Sequence, residues 1–196
     1  MRKILKKVGQ PPIHDVPPEW SRRRFLGSLA LTLPSAVLLS PAVAQAKAEA
    51  ARSLRLYHAH TGEELAITYY EQGEYHPDAL AEANRFLRDF RTGEEYPIDR
   101  GLLDILHGIR QATGSNGRFE VVSGYRSPKT NAALRAKNSG VAKRSLHMQG
   151  RAIDVRLNGV DTARLRKAAL ALRGGGVGYY PKSGFVHLDT GRVRQW

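Results

Sequence analysis

Two polar residues stand inside predicted strands, and both residue types bind metal ions. In "RAIDV", residues 151–155, apolar residues flank Asp154, so the apolar side chains face the core and Asp154 faces the opposite side. In "FVHLDTG", residues 185–191, His187 likewise alternates with apolar neighbours. If the two strands are neighbours in one sheet, Asp154 and His187 project on the same side.

A third candidate ligand, His147, lies in the loop that leads into the first of these strands. Two imidazoles and one carboxylate are the three ligands of a zinc site with an open fourth position, the pattern of catalytic zinc sites. Such a metal lowers the pKa of its bound water to about 7 and polarises a carbonyl oxygen. Two alternatives stay open: His187 can be a hydrogen-bonded core histidine, and Asp154 can pair with Arg126 or Arg151.

The predicted elements that must position these residues mix helices and strands without a regular βαβ alternation. A hairpin is predicted over residues 54–70, and the first of four helices is expected to run from Pro77 to about Arg91. The other three helices are predicted to begin after the capping residues Asp99, Ser127 and Asp161. Short strands are predicted at "FEVVSG", "RAIDVRL", "GGGVGYYP" and "FVHLDTG". The fold class is therefore α+β, with a small antiparallel sheet flanked by helices.

Composition excludes some chemistries. The chain of 196 residues has no cysteine, which rules out disulfides, thiolate metal ligands and a cysteine nucleophile. The formal net charge is +13; seven basic and two acidic residues give +5 in the first 46 residues, and the remainder carries +8. This positive charge either belongs to an ordinary solvated surface or attracts a polyanion, such as nucleic acid, anionic lipid or an acidic wall polymer. The chain has no basic motif interleaved with aromatic residues of the kind that binds nucleic acid.

The first 46 residues have the order of a secretory signal. In "SRRRFLGSLALTLPSAVLLSPAVAQA", a basic cluster and a moderately apolar stretch precede Ala44-Gln45-Ala46. Ser21 to Gly27 is similar to the twin-arginine export signature. We expect cleavage after Ala46 and a single mature domain over residues 47–196, periplasmic or secreted. An uncleaved signal anchor is the alternative, although Pro34 interrupts a run that is already short for a bilayer.

Several motifs of the mature region together resemble one family of zinc peptidases. They are "HTGE", "RDFRTGEEYPID", "SGYRSPKTN", "GVAKRSLHMQGRAIDV", "GGVGYYP" and "FVHLDTG". The set is similar to the YcbK (murein endopeptidase K) branch of the zinc peptidases grouped as lysostaphin, D-Ala-D-Ala metallopeptidase and sonic hedgehog. The resemblance implies a hedgehog-like or D,D-peptidase-like fold, zinc on His147, Asp154 and His187, and hydrolysis of peptide bonds in peptidoglycan stems. It also implies that Arg126 lies near the substrate carbonyl or carboxylate, with a structural ion pair as the alternative.

The general base departs from the family pattern. D-Ala-D-Ala peptidases usually place an acid three residues before the last zinc histidine, where this chain has Gly184. Lysostaphin-like members place a histidine two residues before it, where this chain has Phe185. Asp189 is the substitute candidate, since it lies on the same strand face as His187. It either takes a proton from the metal-bound water as a catalytic residue or only orients an imidazole.

Three other features carry weaker predictions. His58 and His60 are able to form a second metal site on one strand face, but ordinary histidines flanking a turn are the favoured interpretation. One of Tyr179 and Tyr180 is expected in the core and the other in the cleft. The Lys143-Arg144 pair beside the metal loop either attracts acidic stem peptides or is simply solvated.

These observations predict an exported, zinc-dependent peptidoglycan hydrolase in which a metal-bound water attacks peptide cross-links or stem peptides. Its partner is then peptidoglycan and not nucleic acid, it meets the membrane only during export, and a monomer is favoured. The alternative is a cell-wall-binding module that keeps the zinc site without turnover, because the usual base is missing. D,D cross-links, L,D cross-links between diamino acids and a terminal D-Ala all stay open as the bond that is cut. Both an endopeptidase and a carboxypeptidase are therefore consistent with the sequence.

Overall fold

Eight strands form one sheet in the computed structural model, which describes residues 50–196. In chain order the strands are β1 (Arg52–His58), β2 (Glu64–Glu71), β3 (Glu74–Tyr75), β4 (Phe119–Ser123), β5 (Ala152–Leu157), β6 (Gly176–Tyr180), β7 (Phe185–Asp189) and β8 (Arg194–Gln195). Their order across the sheet is β3-β2-β1-β4-β5-β7-β6-β8. Neighbouring strands are antiparallel except β1 with β4 and β6 with β8. The predicted α+β class is confirmed, with a mainly antiparallel sheet.

Four helices accompany the sheet, and they begin where the sequence predicts. They are α1 (Pro77–Phe86), α2 (Arg100–Thr113), α3 (Pro128–Lys137) and α4 (Thr162–Leu172). The side chains of Asp99, Ser127 and Asp161 each accept a backbone N–H from the first turn of the helix that follows. Each of these caps satisfies a donor that the helix itself leaves unpaired.

Helix α1 ends at Phe86, so the predicted end near Arg91 is wrong. The carbonyl of Leu87 accepts a hydrogen bond from the Tyr125 N–H at 2.8 Å and does not serve a further helical turn. The buried Asp89 carboxylate then accepts the N–H of Arg91 at 2.9 Å. A short polar side chain that bonds the nearby backbone competes with the helix, and here it stops α1 early.

The hydrophobic core lies between one face of the sheet and helices α1, α2 and α4. At the centre of the sheet, fully buried apolar side chains face this core, and they are Ile153, Val155, Val186 and Leu188. Because side chains alternate along a strand, Asp154 and His187 emerge on the opposite face. The polar pair is therefore carried by two strands whose other face is fixed in the core.

The predictions about the membrane and about export concern the ability of a segment to cross a bilayer and the first 46 residues. Among residues 50–196, no helix combines the length and the apolar character that crossing a bilayer requires. The twin-arginine leader predicted over residues 1–46, with its cleavage site, lies outside the described residues. Both the leader and the boundary of the mature domain at residue 47 stay predictions.

Candidate metal centre

Strands β5 and β7 bring Asp154 and His187 together. The two strands are antiparallel neighbours, and Asp154 lies directly opposite His187 in their register. His187 Nδ1 lies 2.8 Å from Asp154 Oδ1. The condition on which the sequence prediction depended, that these strands are adjacent, is therefore met.

His147 reaches the same place from the 3-10 turn Leu146–Gln149, which directly precedes β5. The Ser145 hydroxyl accepts the His147 N–H and so begins the turn, and Gly150 ends it with a left-handed φ of 63°. A Cβ at position 150 would also clash with the carbonyl oxygen of Pro97. Glycine is thus required where the chain reverses into β5, and this reversal directs His147 back over the sheet.

The three predicted ligands form one compact cluster. One donor atom each from His147, Asp154 and His187 lies within 4.8 Å of the other two. His147 Nε2 is 3.4 Å from Asp154 Oδ2 and 3.3 Å from His187 Nδ1. Among residues 50–196, this is the one group of three or more potential metal-binding side chains at such spacing.

The outer nitrogens of both imidazoles are already committed to acceptors. His147 Nδ1–H donates to the carbonyl oxygen of Gly124 at 2.8 Å. His187 Nε2–H donates to Asp189 Oδ2 at 3.1 Å. In the neutral imidazoles, the inner nitrogens therefore turn lone pairs toward each other and toward the carboxylate of Asp154. Three electron-pair donors that face one another suit a bound cation, and the donor set fits zinc.

The electrostatics of the cluster support the same conclusion. Burial disfavours the charge on Asp154, but His147 and His187 outweigh burial and hold the pKa of Asp154 well below its usual range. Burial also disfavours a charged His187, yet hydrogen bonds to Asp154 and Asp189 outweigh it and raise the pKa of His187 to about 9. The carboxylates of Asp154 and Asp189 thus make the potential at His187 negative, which favours a proton there and would equally favour a bound metal cation.

Asp189 lies behind His187, on the side away from the cluster. Its side chain is fully buried, and its carboxylate accepts hydrogen bonds from the N–H groups of Gly176 and Gly191 at 3.1 and 2.8 Å. Arg194 donates to both oxygens, at 2.9 and 2.7 Å. A carboxylate with these partners and no solvent access favours the second of the two predicted roles, orientation of the His187 imidazole.

Arg126 lies at the edge of the cluster. Its guanidinium Nη2 is 3.8 Å from Asp154 Oδ2 and 3.3 Å from the hydroxyl of Ser123. Its buried Nε has no hydrogen-bond partner among the described residues. The side chain is therefore held near the carboxylate while it keeps hydrogen-bonding capacity, as a group that meets a substrate oxygen would.

The cluster forms the floor of a cleft of about 530 Å³. Phe185 lines this cleft and stacks on Tyr180, with ring centroids 4.7 Å apart, while Gly184 adopts a left-handed φ of 68° in the turn before β7. Asp154 is the one acidic side chain that lines the cleft in the described part of the chain. No other acid in the described cleft therefore compensates for the missing base at Gly184 or Phe185.

Other predicted residues fall in different places. Tyr180 lines the cleft while Tyr179 packs against the core, as the sequence predicts for this pair. Arg144 also lines the cleft, and Lys143 does not. His58 and His60 lie near each other at the end of β1 and belong to no metal-binding group among residues 50–196.

Sequence reasoning missed two contributors to the site, Arg194 and Trp196. Arg194 pairs with Asp189, and its guanidinium lies 4.8 Å from the centroid of the Trp196 ring. The Trp196 ring lies 5.3 Å from the ring of His187. A signal existed, since an arginine five residues after a buried aspartate is a candidate ion pair, but only the turn after β7 shows that the two side chains meet.

Comparisons of the sequence with known proteins agree with one another. The family model described as "Peptidoglycan L,D-endopeptidase MepK" (Peptidase_M15_2) matches residues 46–196. The peptidoglycan L,D-endopeptidase MepK of Escherichia coli (strain K12) is 42% identical over 176 residues, which cover 90% of this chain and 97% of that protein. The probable peptidoglycan L,D-endopeptidase MepK of Haemophilus influenzae is 36% identical over 177 residues, 90% of this chain and 95% of that protein. Among solved structures, the vancomycin resistance D,D-dipeptidase VanXYg matches with a TM-score of 0.33 and 22% identity, over 53% of this chain and 54% of that chain.

Proposed function

The chain belongs to the peptidoglycan L,D-endopeptidase MepK family of peptidases, and on this premise we propose that it is an exported, zinc-dependent murein endopeptidase. The bond that we propose it cuts is the amide of an L,D cross-link between stem peptides, as the names of its relatives indicate. Hydrolysis adds water across this amide and yields one carboxylate and one amine. The names of the relatives favour an endopeptidase over the carboxypeptidase that the sequence left open.

One observation carries the proposal: the inner nitrogens of two histidines and one carboxylate converge on one point. His147, Asp154 and His187 would hold the zinc ion and leave a position open toward the cleft. Zinc bound there supplies a Lewis acid for the scissile carbonyl and lowers the pKa of a water molecule. The outer hydrogen bonds to Gly124 and Asp189 keep both imidazoles in the tautomer that this requires.

The remaining site residues have distinct proposed roles. Arg126 stabilises negative charge as it develops on the carbonyl oxygen, since its buried guanidinium points to the carboxylate of Asp154 and retains an unpaired N–H. Asp189 is a positioning residue for His187 and not the group that takes the proton. Its carboxylate is fully buried and both of its oxygens accept hydrogen bonds from Arg194, so it is not exposed to water in the cleft.

Localisation follows from the substrate. Peptidoglycan lies outside the cytoplasm, so the proposed activity needs the export that the twin-arginine signature predicts. The charge of +8 on residues 47–196 then favours approach to the anionic wall. The same export argues against nucleic acid as the partner of this basic surface.

Digestion of purified, cross-linked muropeptides by the full chain tests the proposal. The reaction is run with zinc, with a chelator and with the variant His187→Ala, and the products are identified by mass spectrometry. We expect zinc-dependent conversion of L,D-linked dimers to monomers, absent in the variant. Cleavage that survives the chelator, or cleavage of D,D-linked dimers alone, contradicts the proposal.

A second candidate is a wall-binding module that holds zinc without turnover. One observation favours it: no acid other than Asp154 lines the described cleft. A protein that contains stoichiometric zinc, binds isolated peptidoglycan and cleaves no dimer or monomer supports this candidate over the enzyme.

A further inference from the structure

We propose that the cleft contains a carboxylate subsite at Arg144, which selects the diamino acid on the amine side of the scissile bond. The inference rests on the proposed function, because the subsite belongs to the same cleft. It concerns the recognition of the substrate and is separate from the chemistry of the metal centre.

One wall of the cleft is aromatic. Tyr180, Phe185 and Trp196 form it, and Trp196 Nε1–H donates to the hydroxyl of Tyr180 at 2.9 Å. Tyr180 is 38% exposed and Trp196 is 48% exposed, so both large side chains present apolar surface to whatever enters. Exposed apolar surface of this kind beside a polar floor marks a binding site for a partly apolar ligand.

A second wall of the cleft carries an arginine that has no partner among the described residues. Residues 138–146 form much of this wall, and the side chain of Arg144 makes no hydrogen bond or ion pair with any residue that the structure describes. The other two arginines of the cleft differ, since Arg194 pairs with Asp189 and Arg126 lies near Asp154. Arg144 is therefore the cleft arginine left to meet an anionic group of a ligand.

The position of Arg144 ties it to the metal centre. It directly precedes Ser145, whose hydroxyl begins the turn that holds His147. Ser145 and His147 are both buried, so the backbone next to Arg144 is anchored while its own side chain is exposed. A ligand group bound by Arg144 therefore lies at the exposed rim of the cleft that holds the metal ligands.

An L,D cross-link between diamino acids has the matching chemistry. The diamino acid whose amine is acylated carries its own carboxylate on the carbon next to the scissile nitrogen, followed by an aliphatic chain. The aliphatic chain matches the aromatic wall, and the carboxylate matches Arg144. The cleft of about 530 Å³ lies within the usual range of about 300–1,000 Å³ for sites that enclose a ligand of this size.

Paired substrates and paired variants test the subsite. Zinc-loaded wild type, Arg144→Gln and Lys143→Gln are assayed on two L,D-linked dimers, one with this carboxylate free and one with it amidated. We expect wild type to prefer the free carboxylate by about 10-fold in kcat/KM, the effect of one charge-assisted contact at an exposed rim. In Arg144→Gln this preference falls to about 1, whereas the control Lys143→Gln, which removes the same charge one residue outside the cleft, keeps it.

Tyr180→Ala separates the two walls. Loss of the aromatic surface should lower kcat/KM on both dimers by the same factor, because the aliphatic chain is common to them. An unchanged preference in Arg144→Gln, or an equal loss of preference in Lys143→Gln, overturns the assignment of the carboxylate to Arg144.

A binding measurement tests the carboxylate subsite independently of catalysis. The affinity of zinc-loaded protein for uncross-linked stem peptides, free or amidated at the same carbon, is measured by calorimetry with the same variants. Failure of all proteins to cleave dimers refutes the proposed function, and the binding preference then still tests the subsite. Equal affinities of wild type for the free and amidated peptides refute the subsite even where cleavage occurs.

Discussion

The described residues 50–196 contain two pairs of neighbouring histidines, and the pairs differ in what surrounds them. The rings of His147 and His187 have centroids 5.0 Å apart at an interplanar angle of 63°, and those of His58 and His60 are 6.0 Å apart at 60°. Spacing and ring angle therefore hardly distinguish the pairs. The carboxylate of Asp154 lies against both rings of the first pair, and no metal-binding group of residues 50–196 includes the second pair.

The nitrogens of the second pair, His58 and His60, have different hydrogen-bond partners. His58 Nδ1 accepts the N–H groups of His60 and Thr61, at 3.2 and 3.4 Å, which stabilises the turn after β1. The ring of His58 is buried against Phe86 and Phe90, and its Nε2 has no partner among the described residues. Burial is the main reason that the pKa of His58 is lowered, so the ring stays neutral.

The difference shows that a metal site depends on the outer nitrogens as much as on the spacing of the histidines. At the metal centre, each outer nitrogen donates to an oxygen, which leaves both inner lone pairs facing the carboxylate. The Nδ1 lone pair of His58 instead accepts hydrogen bonds from backbone N–H groups, so it is not available to a metal ion. Changes to the carboxylates and to His58 should therefore have effects of very different kinds.

The largest expected effect comes from removing the carboxylate that distinguishes the first pair. Asp154→Asn keeps the shape of the side chain but loses its charge. We expect zinc affinity to fall by more than the factor of about 10–100 that is typical of an outer-shell change, with hydrolysis lost as well. Competition with a chromophoric chelator measures the affinity.

Glu120→Gln is the matched control for this change. Glu120 lies on the neighbouring strand β4 and pairs with Arg156 outside the cluster, so the same loss of charge should leave zinc affinity intact. If Asp154→Asn and Glu120→Gln bind zinc equally well, the carboxylate is not a ligand and the comparison between the two histidine pairs fails.

A smaller loss of zinc affinity is expected from changing Asp189, which contacts the ligand His187 and not the metal position itself. Asp189→Asn weakens the acceptor for His187 Nε2–H and the ion pair with Arg194, so the imidazole loses part of its orientation. We expect zinc affinity to fall about 10- to 100-fold. Titration with zinc, followed by both chelator competition and cleavage of dimers, measures the two consequences separately.

The zinc titration also separates the two roles considered for Asp189. A positioning residue predicts that saturating zinc restores cleavage to within several-fold of wild type, because only the occupancy of the site was reduced. Cleavage that stays absent while zinc is fully bound would instead mean that Asp189 takes a proton during the reaction.

The sequence was sufficient to predict the inner site because strand alternation is a local signal. Asp154 and His187 each interrupt apolar residues with a period of two, and capping residues marked three of the four helix starts. The pairing of β5 with β7 then placed the two side chains opposite each other. His147 was a candidate from its place in the loop before β5, and the family resemblance supported that role, since a loop residue has no period that shows where it points.

Features that depend on distant contacts were not predictable in the same way. The end of α1 at Phe86 depends on a bond from the Tyr125 N–H to the Leu87 carbonyl, 38 residues back along the chain. Arg194 reaches Asp189 only because the chain turns after β7 and pairs β8 with β6. Such contacts are tertiary, so propensity and periodicity do not report them.

The smallest effect, and one of a different kind, is expected at His58. Because the pKa of His58 is lowered by burial, the unfolded chain binds a proton there more readily than the folded protein does. His58 therefore lowers the stability of the fold as the pH falls below about 6.5, the ordinary pKa of histidine. His60, Glu63 and Arg88 have only secondary effects on this loss.

The variant His58→Leu, of similar volume, should change the free energy of unfolding by less than about 1.5 kcal/mol at pH 7.5. It should also lose less stability than wild type between pH 7.5 and pH 5. Urea unfolding at both pH values measures the difference, while zinc affinity at pH 7.5 should equal that of wild type. Parallel loss of stability in the two proteins would show that His58 does not titrate as its burial requires, and altered zinc affinity would join the two histidine pairs that the structure separates.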